Sequence, residues 1–280
     1  MFTKKSSKNL KFGISVIPEN SKLSIEKNIE LVRNSGLDHL EVAFVNGLYI
    51  SEKRAYEINY AAAVNKVTLS IHAPYFINLS SPKSEIVEKS KELLLKVGRF
   101  ARTMGAETIV FHSGFYYDTP KKTFEKVKRN IEEIKEAFEK ELISVKLRPE
   151  TMGKRKEFGD LEEIITIAQE IGGIMPCVDF AHIHARTKRF NSYEEFNKIL
   201  RKLEKRLGME YIKNMHIHVS GIEYNGEGER YHLNLMDSDF KFDEWLEALN
   251  DYGVEGVVVV ESPEPIPDAV RLRKIFYDKP

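Results

Sequence analysis

Short β-type runs alternate along this chain with longer segments in which apolar residues recur every three or four positions. Several of the short runs are continuously apolar, such as the four valines at 257–260, and this is typical of parallel strands that are covered on both faces. The predicted strands are residues 12–17, 40–45, 67–72, 108–112, 145–150, 175–179, 215–220 and 257–261.

The segments between these runs predict amphipathic helices. After Pro120 the apolar side chains form one stripe, and Lys and Glu cover the remaining surface. The members of that stripe are Phe124, Val127, Ile131, Ile134, Phe138 and Leu142. The motifs GDLEEI at Gly159 and NSYEEF at Asn191 predict helix starts, because each offers a capping side chain followed by early carboxylates. Glycines at 36, 105 and 172 stand where helices are expected to end.

Eight strand-then-helix units in one chain indicate an α/β fold, a single (β/α)8 TIM barrel with the active site at the C-terminal ends of the strands. A doubly wound open sheet is the alternative, but no G-x-G-x-x-G follows the first strand. No linker-like stretch divides the chain, so we predict a short N-terminal tail over residues 1–11 and one catalytic domain over residues 12–280.

Composition limits the partners that the chain is expected to have. The 280 residues carry 43 basic and 43 acidic side chains, so any nucleic-acid binding needs a local basic patch rather than a whole-surface field. No run approaches the length of a membrane span, and the polar N-terminus lacks the apolar core of a signal peptide. The single cysteine, Cys177, excludes an internal disulfide framework and fits a cytoplasmic protein.

The candidate chemistry lies at the ends of the predicted strands, where the active sites of such barrels are built. Six strands end in side chains that bind metals, and two further histidines follow closely in the loops. These residues are His72, His112, Glu150, Asp179, His218 and Glu261, followed by His182 and His232. Imidazole and carboxylate suit zinc and manganese-like ions, and a carboxylate can bridge two cations, so the set predicts a multinuclear centre.

Each of these residues also has an ordinary structural explanation. A single strand-end histidine is more often a packed core or rim residue, and Asp179 could merely cap the next helix. Their joint placement argues for ligation, because seven of the eight histidines fall at or beside strand ends and only His39 does not. His216 and His218 point to the same side of one strand, so one can ligate while the other packs. His184, two residues after His182, has the same ambiguity.

Six motifs together resemble the endonuclease IV family of apurinic/apyrimidinic endonucleases, most of all its archaeal-type branch within the xylose-isomerase-like barrels. The motifs are HAPYFINLSSP, IVFHSG, PETMGK, VDFAHIHAR, HIHVSG and VVVESP, and the resemblance runs from about residue 12 to residue 265. It implies a zinc-dependent enzyme that cleaves the DNA backbone 5′ to abasic sites, with DNA containing such sites as the partner.

The resemblance also implies roles for particular residues. His72 and His112 resemble ligands of a first zinc, and Glu150 resembles the carboxylate that bridges it to a second. Asp179, His218 and Glu261 resemble the other ligands of the second zinc, and His182 and His232 those of a third. Glu150 and Glu261 are thereby also predicted to be catalytic. We expect two or three Zn²⁺ ions, with Mn²⁺ as the alternative metal, and choose His218 over His216 because related epimerases ligate through the second histidine of H-x-H.

The same resemblance suggests how DNA would be held. Tyr75 and Phe76 match the family position at which an aromatic and an apolar residue wedge into the duplex at the lesion, and a hydrophobic lid over the barrel mouth is the alternative. Basic side chains in the strand-end loops are expected to hold flanking phosphates, unless they form only a solvated loop face. They are Lys154, Arg155, Arg186, Lys188 and Arg189.

Two departures from the family pattern keep other functions open. Arg230 stands where the better-known branch has an Asp ligand two residues before the loop histidine, so Glu229 would have to substitute after a shift. The loop after the second strand has no matching arginine before Arg54. A sugar isomerase or epimerase with one ion, held by Glu150, Asp179, His218 and Glu261, is the main alternative, and a non-catalytic binder is a third. A monomer is the default expectation.

Overall fold

Eight parallel strands form a barrel that is nearly closed, as the sequence predicts. The computed structural model describes residues 9–17, 20–48 and 50–278. The barrel strands are β1 (Leu10–Val16), β2 (His39–Ala43), β3 (Thr68–His72), β4 (Thr108–Phe111), β5 (Lys146–Pro149), β6 (Cys177–Asp179), β7 (Met215–Val219) and β10 (Gly256–Val260). The other two, β8 (Gly221–Asn225) and β9 (Gly228–Leu233), form a separate hairpin.

The barrel is closed by a short seam between β5 and β6. The hydrogen-bonded order is β5-β4-β3-β2-β1-β10-β7-β6, and a single parallel bridge joins Glu150 to Cys177 across the gap. Below it Arg148 spans the seam: its guanidinium donates to the carbonyls of Pro176 and Asn214 at 3.1 and 2.8 Å. The seam places Glu150 at the top of the barrel, beside the end of β6.

Helices cover the outside of the barrel. They are α1 (Ile25–Asn34), α2 (Glu52–Asn65), α3 (Ser84–Met104), α4 (Pro120–Lys140), α5 (Leu161–Ile171), α6 (Phe180–Thr187), α7 (Tyr193–Leu207), α8 (Met209–Ile212), α9 (Phe242–Tyr252) and α10 (Pro265–Asp278). Some local signals act as expected: Asp160 and Glu163 form a capping box on α5, and Gly105 ends α3 in the left-handed conformation. The α7 helix begins after Ser192 as predicted, but the Ser192 side chain makes no capping hydrogen bond. The apolar core lies between these helices and the outer face of the sheet.

Three features depart from the sequence prediction. The hairpin β8–β9 follows β7 and was not predicted, and the sixth unit carries α6, α7 and α8 rather than one helix. Most of the predicted tail, residues 1–8, lies outside the described residues, while Leu10 and Lys11 belong to β1. The division of the chain at residue 12 stays a prediction.

The interior of the barrel is unusually polar below its upper rim. Such interiors are normally filled by branched apolar side chains, yet here His39, Glu41, Ser70 and His216 are all buried. Residues two apart on a strand share a face, so this buried layer lies directly beneath the residues at the strand ends.

Candidate metal centre

Glu150 connects the two halves of the candidate site. It follows β5 and is buried, and its two oxygens face different groups of histidines. Oε2 lies 3.2 Å from His72 Nε2 and 3.1 Å from His112 Nε2. Oε1 lies 3.2 Å from His218 Nδ1 and 3.4 Å from His182 Nδ1. A carboxylate in this position can bridge two cations.

The first cluster consists of His72, His112 and Glu150. His72 ends β3 and His112 directly follows β4, so neighbouring parallel strands deliver both imidazoles to the same rim. Their rings are 5.0 Å apart and nearly perpendicular, which aims both Nε2 atoms at the same carboxylate oxygen.

The second cluster consists of Glu150, Asp179, His218 and Glu261. Asp179 has the capping role that the sequence offered, because Oδ1 accepts a hydrogen bond from the His182 amide at 2.7 Å. Its Oδ2 is buried without a hydrogen-bond partner, 3.5 Å from His182 Nδ1. His218 Nδ1 lies 3.5 Å from Glu261 Oε2. A buried carboxylate oxygen without a partner is costly, and a cation at this position would satisfy it.

The third cluster consists of His182, Glu229 and His232. His182 Nε2 lies 3.4 Å from Glu229 Oε2 and 3.2 Å from His232 Nε2. The hairpin is held here by the loop after β5, because the Glu229 amide donates to the Gly153 carbonyl at 3.2 Å. A Cβ added at Gly153 would lie 2.7 Å from the Cβ of Glu229, so this close approach requires glycine.

A β-bulge explains how Glu229, rather than Arg230, reaches the third cluster. The hairpin pairing is irregular here: it passes from Tyr231 directly to Glu229, which leaves Arg230 as the extra residue. In a regular strand the side chains of Arg230 and His232 would lie on the same face of β9. Because Arg230 is the extra residue of the bulge, Glu229 lies on that face instead. Arg230 turns outward, with its guanidinium 5.7 Å from the centre of the Tyr231 ring. The bulge therefore explains how Glu229 could take the place of the acidic ligand that the family pattern has at position 230.

The spacing of the donor atoms fits small divalent cations. In tetrahedral zinc sites with bonds of about 2.0–2.1 Å, neighbouring donors are about 3.3 Å apart. The pairs of candidate ligand atoms described above are 3.1–3.5 Å apart, and a further pair, His232 Nε2 and Glu229 Oε1, is 3.8 Å apart. Within each cluster one ligand atom from every residue lies within 4.8 Å of the others. The chemistry of the donors and the unpartnered Asp179 oxygen agree with such ions. Ligation by these residues stays a prediction.

The charges in this site are strongly coupled. Burial opposes ionisation of Glu150, but the charge of His218 and the hydrogen bonds from His112 and His182 hold its pKa well below its usual range. Burial likewise opposes ionisation of Glu261, yet His218 lowers the pKa of Glu261 to about 2. Conversely, burial disfavours protonation of His182, but Asp179 and Glu229 raise its pKa well above the usual value. At Asp179, by contrast, burial raises the pKa of the carboxyl group.

Each imidazole has one ring nitrogen that faces its cluster and a second, called here the rear nitrogen, on the opposite side of the ring. Two kinds of group lie beside the rear nitrogens. For three of them a backbone carbonyl lies beside Nδ1: Ala73 for His72 at 2.8 Å, Thr151 for His182 at 3.0 Å and Glu261 for His232 at 3.1 Å. His218 differs, because its rear nitrogen is Nε2 and faces the carboxylate of Glu41, with His218 Nε2 3.0 Å from Glu41 Oε1.

Glu41 is the residue that sequence reasoning missed. It lies within β2 and is fully buried, in contact with both His216 and His218. A signal was present in the sequence, since Glu41 interrupts the apolar run of HLEVAFV and a buried carboxylate needs partners. The geometry also separates the two histidines of β7, because His216 faces Glu41 while His218 Nδ1 faces the candidate metal ligands. His184 lies apart, bonded to Asp239 at 3.2 Å.

Tyr75 and Phe76 lie at the mouth beside the first cluster. The Tyr75 ring stacks on His112 with 5.1 Å between centres and meets His72 edge-on. Burial and the charge of Glu261 raise the pKa of Tyr75, which keeps its phenol protonated as a hydrogen-bond donor. The Phe76 side chain is 58 % exposed, which is unusual for a large apolar residue.

The basic residues expected to hold phosphates are placed differently from one another. Lys154 lines the cavity over the clusters, while Arg155 and Lys188 are exposed. Arg186 is partly buried, and its Nη1 donates to the carbonyls of Lys154 and Glu157 at 2.6 and 3.1 Å, so it ties the loop after β5 together. Phosphate binding by Arg186 stays a prediction. A cation inside a loop motif cannot be distinguished from a surface cation by sequence.

Two adjoining cavities open at this mouth. The first, of about 320 Å³, lies over the three clusters, and among its described lining residues Lys154 is the one Lys or Arg. The second, of about 680 Å³, lies between the ends of β1 and β10 and shares Tyr75, His232 and Glu261 with the first. The mouth is therefore rich in carboxylates, and a phosphodiester would be repelled unless cations were bound there.

Comparison with known proteins agrees with this architecture. The family model described as "Xylose isomerase-like TIM barrel" matches residues 29–277. The chain belongs to this family. A Methanocaldococcus jannaschii protein that is itself uncharacterised is 39 % identical over 269 residues, covering 95 % of this chain and 97 % of that protein. An Aquifex aeolicus protein named "Probable endonuclease 4" is 29 % identical over 171 residues, covering 59 % of this chain and 60 % of that protein.

Two solved structures with the same fold carry different activities in their names. Endonuclease IV from Thermus thermophilus superposes with a TM-score of 0.75 at 18 % identity, covering 96 % of this chain and 98 % of that one. A D-tagatose 3-epimerase-like protein also reaches 0.75, at 23 % identity and 96 % coverage of both chains. At these identities the likeness shows the fold. Among the described residues, no helix is long and apolar enough to cross a membrane.

Proposed function

We propose that this family member is a metal-dependent phosphodiesterase, with zinc as its metal, that cleaves DNA on the 5′ side of abasic sites. The observation that carries the proposal is that the two carboxylate oxygens of Glu150 face different histidines. Its Oε2 faces His72 and His112, while its Oε1 faces His218 and His182. A one-ion enzyme has no need for the first pair of histidines. Relatives named endonuclease 4 support the choice of substrate.

The roles of the chain's own residues follow from their positions. Cations held at the three clusters would stabilise the charge that develops on phosphoryl oxygens during an in-line displacement. Glu150 keeps two ligand groups together, and Asp179 orients His182 through its cap on α6. Lys154 at the cavity wall and the exposed Arg155 and Lys188 would contact flanking phosphates. The protonated Tyr75 phenol can donate to the sugar or phosphate next to the lesion.

A sugar isomerase or epimerase is the second candidate. Glu150, Asp179, His218 and Glu261 form a complete four-residue cluster without the first and third groups, and two of these carboxylates could move protons beside a carbonyl. The D-tagatose 3-epimerase-like neighbour shares the fold that such a site requires.

One variant separates the two candidates. We expect the zinc-loaded protein to nick a duplex with a single tetrahydrofuran site, and His112→Ala to lower that rate by at least about 100-fold because a ligand of the first cluster is lost. An isomerase using only the four-residue cluster would retain its turnover in this variant. The matched control is Glu227→Gln, an exposed carboxylate on the hairpin. Turnover of ketoses by a protein that leaves the duplex intact would refute the proposal.

A further inference from the structure

Glu41 is a buried carboxylate that the proposed chemistry does not use directly. It lies in the polar layer beneath the metal clusters and has no contact with the cavity above them. A carboxylate buried in a barrel interior costs several kcal/mol unless donors surround it. The donors around Glu41 therefore indicate what the residue is for.

The two oxygens of Glu41 are used differently. Oε2 accepts a hydrogen bond from Ser70 Oγ at 2.7 Å and one from His216 Nε2 at 3.0 Å. Oε1 is buried, and the polar atom facing it is His218 Nε2 at 3.0 Å. The N–H of His218 is not aligned with Oε1, so neither atom has a well-formed hydrogen bond. The two atoms are nevertheless within hydrogen-bond distance of each other.

The opposite side of the same imidazole faces the second cluster. His218 Nδ1 lies between Glu150 Oε1 and Glu261 Oε2, at 3.2 and 3.5 Å. A neutral imidazole carries one proton, and a nitrogen that ligates a cation must be free of it. A carboxylate behind Nε2 holds the proton there and leaves the Nδ1 lone pair for the cation.

We propose that Glu41 is the positioning residue of the second metal cluster, holding His218 with its proton on Nε2 and its Nδ1 directed at the cation. The inference rests on the metal centre of the proposed function but not on its DNA substrate. The rear nitrogens of His72 and His232 face backbone carbonyls. That of His182 faces the Thr151 carbonyl and also two candidate ligands of the second cluster, Glu150 and Asp179, at 3.4 and 3.5 Å. Glu41, by contrast, is a carboxylate outside the three clusters, and it supplies negative charge to His218. Burial disfavours its ionisation, yet His218 and His216 lower the pKa of Glu41 well below the usual value.

The test is the affinity for zinc, measured by competition with a chromophoric chelator. Glu41→Gln preserves the size and the Oε acceptor for Ser70, but its amide can donate to His218 Nε2 and drive the proton to Nδ1. We expect one zinc to bind about 10- to 100-fold more weakly, and the others within about threefold of wild type. Ser70→Ala, which leaves the carboxylate in place, is the matched control and should change no affinity by more than about threefold.

A merely structural role predicts something different. Glu41→Gln would then lower the melting temperature of the metal-free protein without weakening any zinc, and that result would overturn the inference. A double-mutant cycle adds a second criterion, because the effect of Glu41→Gln should disappear in a His218→Asn background. An effect of equal size in that background would also contradict it.

One measurement needs no variant and so covers the case in which Glu41→Gln does not fold. In zinc-loaded wild-type protein, nitrogen NMR of the imidazoles should show His218 protonated at Nε2 and ligated at Nδ1. The reverse assignment would refute the positioning role, as would a cation found between Glu41, His39 and His216. None of these measurements, which are zinc affinity, melting temperature and imidazole NMR, uses DNA. A failure to nick DNA would therefore count against the proposed function and leave this inference intact.

Discussion

The bulge in β9 makes the third cluster the most informative place to perturb the protein. Glu229→Gln removes one negative charge from the group of His182, Glu229 and His232 and keeps the shape of the side chain. The bulge residue, Arg230, is untouched. If Glu229 replaces the acidic ligand that the motif spacing assigns to position 230, this single change should empty one of three metal positions.

The expected magnitude follows from the burial of Glu229. Its side chain is 10 % exposed, so screening by solvent reduces the interaction little. Breaking a buried charge pair costs about 3–5 kcal/mol, which corresponds to a Kd that is roughly 100- to 5,000-fold higher. His182 should also lose part of its stabilised protonation, because Asp179 and Glu229 both raise the pKa of His182.

The assay is zinc stoichiometry by mass spectrometry after dialysis against a buffered concentration of free zinc. We expect three equivalents in wild type, two in Glu229→Gln and three in the control Glu227→Gln, whose carboxylate lies on the exposed hairpin turn. Three equivalents with unchanged affinity in Glu229→Gln would show that the assignment of Glu229 is wrong. Two in wild type would show that the third cluster does not hold an ion.

Three further outcomes are expected. Deletion of Arg230 should retain the third zinc, because regular alternation would then place the preceding Glu229 on the same face as His232; loss of one equivalent would mean that the bulge itself shapes the site. Phe76→Ala should weaken binding to a tetrahydrofuran duplex by about 10-fold or more without changing zinc content, whereas equal binding would favour the role of a lid. Metal-free protein should lose stability to thermal unfolding as pH rises above 6.5, because the raised pKa values of His72, His182 and His218 add stability that is complete below 6.5 and is lost as pH rises through them. Stability should also fall as pH drops below 6.5, because burial lowers the pKa values of His39 and His216 and these imidazoles resist protonation in the folded protein. Below pH 4.5 the lowered pKa values of Glu41, Glu150 and Glu229 add a further loss, since the stability that they contribute disappears as pH falls through them. Zinc should reverse the alkaline decline, since ligation needs deprotonated imidazoles, and an unchanged alkaline decline with zinc would contradict this.

The strands, most of the helix ends and the rim of candidate ligands were predictable from sequence for a local reason. Periodicity places a residue such as His72 at the end of an apolar run, and a parallel barrel brings every such end to one mouth. Capping is equally local, as the box formed by Asp160 and Glu163 illustrates. These features depend on neighbours within a few residues of the chain.

Only the tertiary structure decided which groups surround Glu41, Glu229 and Arg186. The partners of Glu41 are His216 and His218, which lie far along the chain and meet it inside the barrel. The bulge that turns Glu229 instead of Arg230 towards the third cluster depends on the pairing of two strands. Arg186 donates hydrogen bonds to carbonyls of a loop that lies 29 to 34 residues before it in the chain. A sequence determines which side chains are available at each strand end; which of them face one another is set by packing between segments that local patterns do not relate.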